Sequence, residues 1–348
     1  MQPEPKFDGK PVLVTGATGL LGSHIAEKLR GLDAPVRVLC RRGSDRRLLE
    51  RIEAEVFPGD VTDAASLEPA CDGVGTVFHA AAKVDDWGAW APYARVTVGG
   101  THNMVEAAAR AGVNRFVHIS SSSVYGHVLG RDAVIDESTP LGTNLPRSCH
   151  YGRAKIEAEK IVRRACDDGR LATTILRPCW LYGPRDRASL PRLIEAIRRK
   201  RLKIIGDGEN RMNVVHAANA ADAAVLAAAG DRAVGEIYNV SYDGDLTQRQ
   251  YFKLIAQGMG EAKITAKVPY RVAYAAALLL ESVCRILRTK RPPYVTRHGV
   301  FLLGRRCFYE CEKIKRELGW TPRISYEEGV PAAVRAVLKR NEESHGQT

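Results

Sequence analysis

Through the first half of the chain, short apolar runs alternate with longer stretches in which apolar residues recur every three or four positions. The segment "KPVLVTGATGLLGSHIAEKLRG" sets the pattern. Val12 to Val14 form a β-rich run that breaks at a glycine-rich turn, and Leu20, Leu21, Ile25 and Leu29 follow at helical spacing, so the segment reads as strand, turn, helix. "PVRVLCRRGSD" supplies a second strand, Val36 to Leu39, and "EVFPGDVTD", "GVGTVFHAAAKV", "NRFVHISSSSVYG" and "ATTILRPCWLYGP" each carry a short apolar run ending in small or polar residues. Helical stretches such as "GGTHNMVEAAARAG" and "YGRAKIEAEKIVRRA" lie between them. This alternation predicts an α/β protein with a Rossmann-type doubly wound parallel sheet, whose ligands bind beyond the strand C-termini. The expected layout is a sheet domain over residues 9–180, with returns from the C-terminal half, and a smaller mixed α/β lobe over 181–338. Residues 1–8 and 340–348 are polar or proline-bearing, lack apolar periodicity and are expected to be disordered.

With 348 residues, 45% of them hydrophobic and 26% charged, the chain can bury a core of that size. Its eight cysteines are scattered, and no charged segment followed by an apolar one opens the sequence. A cytoplasmic protein with reduced thiols and no metal site is therefore expected. The net charge of +12 raises nucleic acid or an anionic surface as partners. The cations are spread, however, with short clusters only at "RRGSDRR" and "RRKRLK", and no nucleic-acid motif accompanies them. No nucleic-acid partner is expected.

The glycine turn adds chemistry. Gly16, Gly19 and Gly22 are spaced so that backbone can approach a pyrophosphate at a helix N-terminus. Gly16, Thr18, Gly19, Leu20, Leu21 and Gly22 are the expected cofactor contacts there. The end of the second strand decides cofactor type. Where an NAD site usually places Asp or Glu, this chain has Cys40 followed by Arg41 and Arg42, and guanidinium groups suit a 2′-phosphate. NADP(H) is expected over NAD(H), which stays the alternative.

In "HYGRAK", Tyr151 and Lys155 are four residues apart and share a face if the segment is helical. A phenol beside an ammonium is a stronger acid, suited to proton transfer near neutrality. On spacing alone, a packed Tyr and a solvated Lys would look the same.

The order of "TGATGLLG", "GDVTD", "HAAAKV", "GGTHNMVEAA", "SSSSVYG", "YGRAK", "LRPCWLYGP" and "LGWTPRISYEEGV" resembles that of the extended short-chain dehydrogenase/reductases, from about residue 10 to 338. The resemblance implies a catalytic group of Ser121, Tyr151 and Lys155, with Ser120, Ser122 and Ser123 leaving the serine ambiguous by one place. It also implies that Asp60 and Val61 meet the adenine, that Ala80, Ala81 and Lys83 line the cofactor and that Pro178 flanks the nicotinamide. A homodimer is implied as well. One departure is Thr97, where the family commonly has Asn.

Two substrate readings compete. Sugar-nucleotide epimerases and dehydratases are suggested by "SSSSVYG" and by Arg211 in "GDGENRMNVV", where those enzymes often bind phosphate. Against this, Trp180 stands where they usually carry Asn. The other reading is an oxidoreductase of an apolar 3-hydroxy or 3-keto compound, suggested by likeness to 3β-hydroxysteroid and sterol dehydrogenases and to 2-alkyl-3-oxoalkanoate reductases in "AAKVDDWGAW" and "VPYRVAYAAALLLESVCRILRTKRPPYVTRHGVF". It is the favoured reading; a non-catalytic NADPH-binding regulator is a third. Substrate contacts are expected from Ser122, Ser123, Trp87, Trp180 and Arg211, with Trp90 and His216 as further candidates. The uncharged run between Arg271 and Glu281 is nine residues, far short of the roughly twenty needed to span a bilayer. It is expected to cap a greasy pocket, with Leu279 and Leu280 facing substrate, and to offer peripheral membrane contact through 269–291; burial in the lobe or at a dimer contact is the alternative.

Overall fold

The computed structural model describes residues 7, 9–85, 87–128, 130, 132–242, 244–260, 264–287, 289 and 292–345. In the first half, strands β1 (Val12–Thr15), β2 (Val36–Cys40), β3 (Glu55–Pro58), β4 (Thr76–His79) and β5 (Arg115–Ile119) alternate with helices. Later come β6 (Ala133–Ile135), β7 (Thr173–Pro178), β8 (Trp180–Tyr182), β9 (Ile204–Ile205), β10 (Val214–His216), β11 (Ile237–Val240), β12 (Lys267–Val268) and β13 (Cys307–Tyr309). Seven of them form one parallel sheet in the order β11-β7-β5-β4-β1-β2-β3. The chain runs outward from β1 to β2 and β3, then returns to place β4 on the other side of β1. The C-terminal ends of β1 and β4, paired at Thr15 and His79, therefore flank the crevice where such sheets bind ligands.

The longer helices are α1 (Leu20–Arg30), α2 (Gly100–Arg110), α3 (His150–Asp167), α4 (Ser189–Arg198), α5 (Ala217–Ala229), α6 (Gln248–Met259), α7 (Tyr270–Ile286), α8 (Arg297–Gly304), α9 (Glu312–Leu318) and α10 (Tyr326–His345). One face of the sheet packs on α1 and α5 through Leu21, Ile25, Leu29, Ala220, Ala224 and Val225. The other packs on α2 and α3 through Met104, Val105, Ala108, Val162 and Ala165. Strands buried on both faces read as continuous apolar runs, the pattern seen in "VLV" of β1 and "TVF" of β4. A further core holds Leu193, Ile194, Tyr251, Phe252, Val330 and Val334, which joins α4, α6 and α10 beside the sheet.

The second half does not stay apart from the first. β11 extends the main sheet, and α5 together with Trp320 completes its first core. Phe7 packs against the same core, and α10 continues to His345, so neither residue 7 nor 340–345 behaves as the polar composition suggested. The apolar stripe Val330, Ala333, Val334 and Val337 anchors α10, and a helix fixed along one side carries its polar end with it. The rest of the expected disorder, at residues 1–6, 8 and 346–348, lies outside the described residues.

Candidate active site

The turn after β1 is shaped for close backbone approach. Gly16 has φ +70°, and a Cβ there would sit 2.8 Å from the Ala80 carbonyl carbon and the Ala81 nitrogen. A Cβ on Gly22 would come within 2.3 Å of the Gly16 oxygen. Gly19 caps α1 without any side-chain hydrogen bond, and no acidic residue occupies the first helical turn. The positive end of α1 is thus left open to an anion, with Thr18 partly exposed beside it. Ala81 N–H donates to the Thr15 hydroxyl at 3.2 Å, which ties the loop after β4 to the glycine turn. The residues fit a dinucleotide.

At the end of β2, Cys40 is buried and Arg41 and Arg42 are exposed. Among the described residues, neither guanidinium is paired with a carboxylate. Asp60 accepts from the backbone N–H and hydroxyl of Thr62, each at 2.9 Å. Val61 is buried and fills the space beside Gly100, so its side chain packs α2. Thr97, fully buried within an irregular helical turn at Ala94–Gly99, accepts the Lys83 N–H at 3.0 Å. The hydroxyl thus anchors the loop after β4 in the absence of the usual amide. The Lys83 ammonium lies 3.3 Å from Asp85. Pro178 is buried at the end of β7.

Tyr151 lies in the first turn of α3, where Gly152 lets the helix press against the Ser123 carbonyl. Burial pushes the Tyr151 phenol up to about 12, opposed by the neighbouring Ser121 hydroxyl, which lowers it. Lys155 does not acidify it as the spacing had suggested. Its ammonium is buried and turned toward the sheet, donating to the Ile119 carbonyl at 2.5 Å. Burial lowers the ammonium to about 8, while Glu159 one turn further along raises it.

The four serines after β5 have separate fates. Ser120 is buried and donates to Glu159 Oε1 at 2.5 Å. Ser121 caps the short turn Ser122–Tyr125, accepting from Ser123 N–H at 3.2 Å, and is the one whose hydroxyl acts on the Tyr151 phenol. Ser122 is buried near Cys179, and the Ser123 hydroxyl is buried without a partner. Behind them, Arg177 pairs with Glu159 through Nε at 3.0 Å and a terminal nitrogen at 2.7 Å, and donates to Tyr125 Oη at 2.9 Å. Sequence spacing gave no sign of this buried pair, because Arg177 comes from the strand and Glu159 from the helix.

Tyr151 opens into a narrow cleft with a volume of about 40 Å³, walled by Trp87, Pro146, Cys149, Arg285, Thr296 and His298. Helices α7 and α8 cover it. They are joined by buried Glu281, which accepts from the Arg297 N–H at 2.7 Å and from its guanidinium at 2.8 and 2.9 Å. Trp87 Nε1 donates to the Thr289 carbonyl at 3.0 Å, and the Arg285 guanidinium lies 5.6 Å over the Trp87 ring. The expected cap is present, but Leu279 and Leu280 are 66% and 41% exposed and belong to its outer surface. The cleft-facing side chains of α7 are Glu281 and Arg285.

Other predicted contacts lie elsewhere. Trp180 donates to Ser189 Oγ at 2.8 Å and packs near Tyr251. Arg211 is ion-paired with Asp245 and lies 4.7 Å over the Phe308 ring. His216 caps α5 by accepting the Ala218 N–H. A larger cavity of about 280 Å³, lined by Tyr270, Asn210 and Arg305 among others, contains none of the predicted site residues.

Residues 12–241 match the NAD dependent epimerase/dehydratase family. The chain is 31% identical to a 2-alkyl-3-oxoalkanoate reductase of Stenotrophomonas maltophilia (strain K279a), covering 92% of this chain and 97% of that protein. It is 29% identical to the sterol-4-alpha-carboxylate 3-dehydrogenase, decarboxylating, of Mus musculus, covering 94% and 91%. The structure is similar to that of DesIV, a dTDP-glucose 4,6-dehydratase from Streptomyces venezuelae with NAD and TYD bound, with a TM-score of 0.75, 25% identity and coverage of 96% and 98%. Sequence order, the seven-stranded sheet with its glycine cradle, and these matches agree: the chain belongs to the NAD dependent epimerase/dehydratase family of extended short-chain dehydrogenase/reductases.

Proposed function

We propose that the protein is an NADP(H)-dependent oxidoreductase that interconverts a hydroxyl and a ketone on a hydrophobic substrate, using Ser121, Tyr151 and Lys155. The observation that carries this reading is the Ser121 hydroxyl beside the Tyr151 phenol in a capped cleft, one helical turn from a buried ammonium at the end of β5. When bound, a nicotinamide dinucleotide supplies or accepts the hydride. Gly16, Gly19 and Gly22 with the N-terminus of α1 would hold its pyrophosphate, and Arg41 and Arg42 a 2′-phosphate. Tyr151, protonated at neutral pH, gives its proton to a ketone oxygen. Ser121 donates to the same oxygen as negative charge grows there. Lys155 stabilises the phenolate left behind once its ammonium turns from Ile119.

The cleft supports an apolar ketone better than a sugar nucleotide. Arg211 is drawn to the surface by Asp245, and Arg285 and Arg297 are both engaged by Glu281, so among the described residues no uncommitted cation faces the cleft to meet a diphosphate. The relatives named as a reductase of 2-alkyl-3-oxoalkanoates and a sterol dehydrogenase point the same way. A sugar-nucleotide enzyme is the second reading, favoured by the likeness to the dTDP-glucose dehydratase.

The test is a panel assay of cofactor absorbance with long-chain β-keto acids, 3-ketosteroids and UDP- and dTDP-sugars, each with NADPH and NADH. Expected are NADPH oxidation by an apolar ketone, its loss by roughly 10²- to 10⁴-fold in Tyr151→Phe, and a rise of about tenfold or more in NADPH KM in Arg41→Ala/Arg42→Ala with NADH little changed. Sugar-nucleotide conversion without net change in cofactor would replace the first reading by the second. Equal efficiency with both cofactors would remove the assignment to the two arginines.

A further inference from the structure

Helix α7 is built with its large side chains outward. Its buried stripe is Ala273, Ala277 and Glu281, packed with Ile205 and Val300. On the opposite stripe, Val272 is 56%, Leu279 66%, Val283 43% and Ile286 80% exposed. The spacings between them, seven, four and three residues, keep all four on one side of the helix. An amphipathic helix on a water-facing lobe normally turns Leu and Ile to the core and charges to solvent. Here small residues face the core and the largest apolar ones face out. So many exposed apolar side chains on one face mark a surface that something apolar covers.

The surroundings say what covers it. β9 pairs with β12 immediately before α7, which brings the end of the "RRKRLK" cluster beside the start of the helix. Lys200, Arg201, Lys203, Lys267 and Arg271 are all exposed there. The Arg201 guanidinium lies 5.6 Å over the ring of Tyr294, itself 54% exposed. Aliphatic side chains bordered by cations and an exposed Tyr are the chemistry of a membrane interface, where apolar groups enter the acyl region and cations meet anionic headgroups. Among the described residues no helix is long and apolar enough to cross a membrane, so such a helix lies along the surface.

We infer that α7 docks the protein on an anionic lipid bilayer, with Val272, Leu279, Val283 and Ile286 inserted and the cations around Arg201 and Arg271 at headgroup level. The inner face of the same helix covers the Tyr151 cleft, so docking sets the cleft directly above the phase in which an apolar substrate dissolves. The inference rests on the surface of α7 and not on the oxidoreductase reading, and its test needs no turnover.

The full-length protein is sedimented with phosphatidylcholine vesicles containing or lacking phosphatidylglycerol. Expected is binding that requires phosphatidylglycerol, weakens with salt, and falls on the order of tenfold or more in Leu279→Ser/Ile286→Ser and in Lys200→Gln/Lys203→Gln, while Val134→Ser, at an exposed apolar position outside α7, binds as the wild type. Circular dichroism establishes that each variant is folded. No binding by the wild type, or binding unchanged in the Leu279/Ile286 variant, overturns the inference. So does sedimentation velocity showing a wild-type dimer that this variant splits without any vesicle binding, since the face would then join two copies of the chain. Binding to phosphatidylcholine alone at equal strength overturns the role given to the cations.

Discussion

At the scale of single residues, Lys155 is the side chain whose environment departs most from what its sequence context promised. The four-residue spacing from Tyr151 is real, but the buried ammonium bonds to the Ile119 carbonyl, and burial lowers it from 10.5 to about 8. Below about pH 8 it is charged in the folded and unfolded states alike, and the folded state carries the whole cost of burying it. Between about 8 and 10.5 the folded state releases the proton first, so this cost is progressively relieved as pH rises. Replacement by an uncharged chain of similar length should therefore stabilise the ligand-free protein at neutral pH. Lys155→Met is expected to be more stable by on the order of 1–3 kcal/mol at pH 7, partly offset by the unpaired Ile119 carbonyl, with the advantage fading toward pH 10.5. Denaturant unfolding at pH 7 and pH 10 measures it; an advantage that grows with pH would contradict the burial argument. A stabilised and inactive variant would show that the lysine is kept for chemistry at the expense of the fold.

At the scale of elements, the first β-turn-α unit gives a sharper contest between two effects. Gly22 is helical, and helix propensity alone favours alanine there by about 1 kcal/mol. Its Cβ, however, would meet the Gly16 oxygen at 2.3 Å and the Gly16 carbon at 2.7 Å, and both are backbone atoms of the turn. Overpacking against a backbone that cannot yield costs about 1–3 kcal/mol, so the steric term wins. Gly22→Ala should lose stability and bind NADPH at least roughly tenfold more weakly, as followed by thermal melts with and without cofactor. Increased stability with unaltered affinity would mean that the turn has slack. This unit was legible in the sequence because the strand run, the glycine spacing and the helical period are all local. The same holds for six strands of the sheet; the seventh, β11, comes from the C-terminal half, where only an unspecified return to the sheet domain was expected. The Arg177–Glu159 pair was not legible, since it joins two elements through side chains whose spacing carries no period. The choice among four serines needed the cap geometry of Ser122–Tyr125, which only the folded turn supplies.

At the scale of the whole molecule, the cap over Tyr151 depends on contacts that link distant parts of the chain. Glu281 ties α7 to α8 through Arg297, and Trp87 reaches the Thr289 carbonyl across 202 positions of sequence. The sequence showed an apolar stretch and a nearby aromatic loop but could not orient either. A run of uncharged residues on a helix reads the same whether its leucines face a pocket or the outside. The orientation was set instead by the buried carboxylate of Glu281, which is paired with both arginines and therefore faces inward. Glu281→Gln keeps the shape and removes the charge, leaving Arg297 partly buried with weaker partners. The cost should be about 1–3 kcal/mol, below that of a fully buried pair because the Arg297 side chain is 18% exposed. A loosened cap no longer shields the cleft or presses substrate against Tyr151. KM for an apolar ketone should then rise by roughly tenfold, with NADPH affinity within about twofold of the wild type, because the glycine cradle lies on other elements. Steady-state kinetics beside cofactor titration separates these effects. Equal losses in ketone KM and NADPH affinity would show that the two halves of the site move as one body.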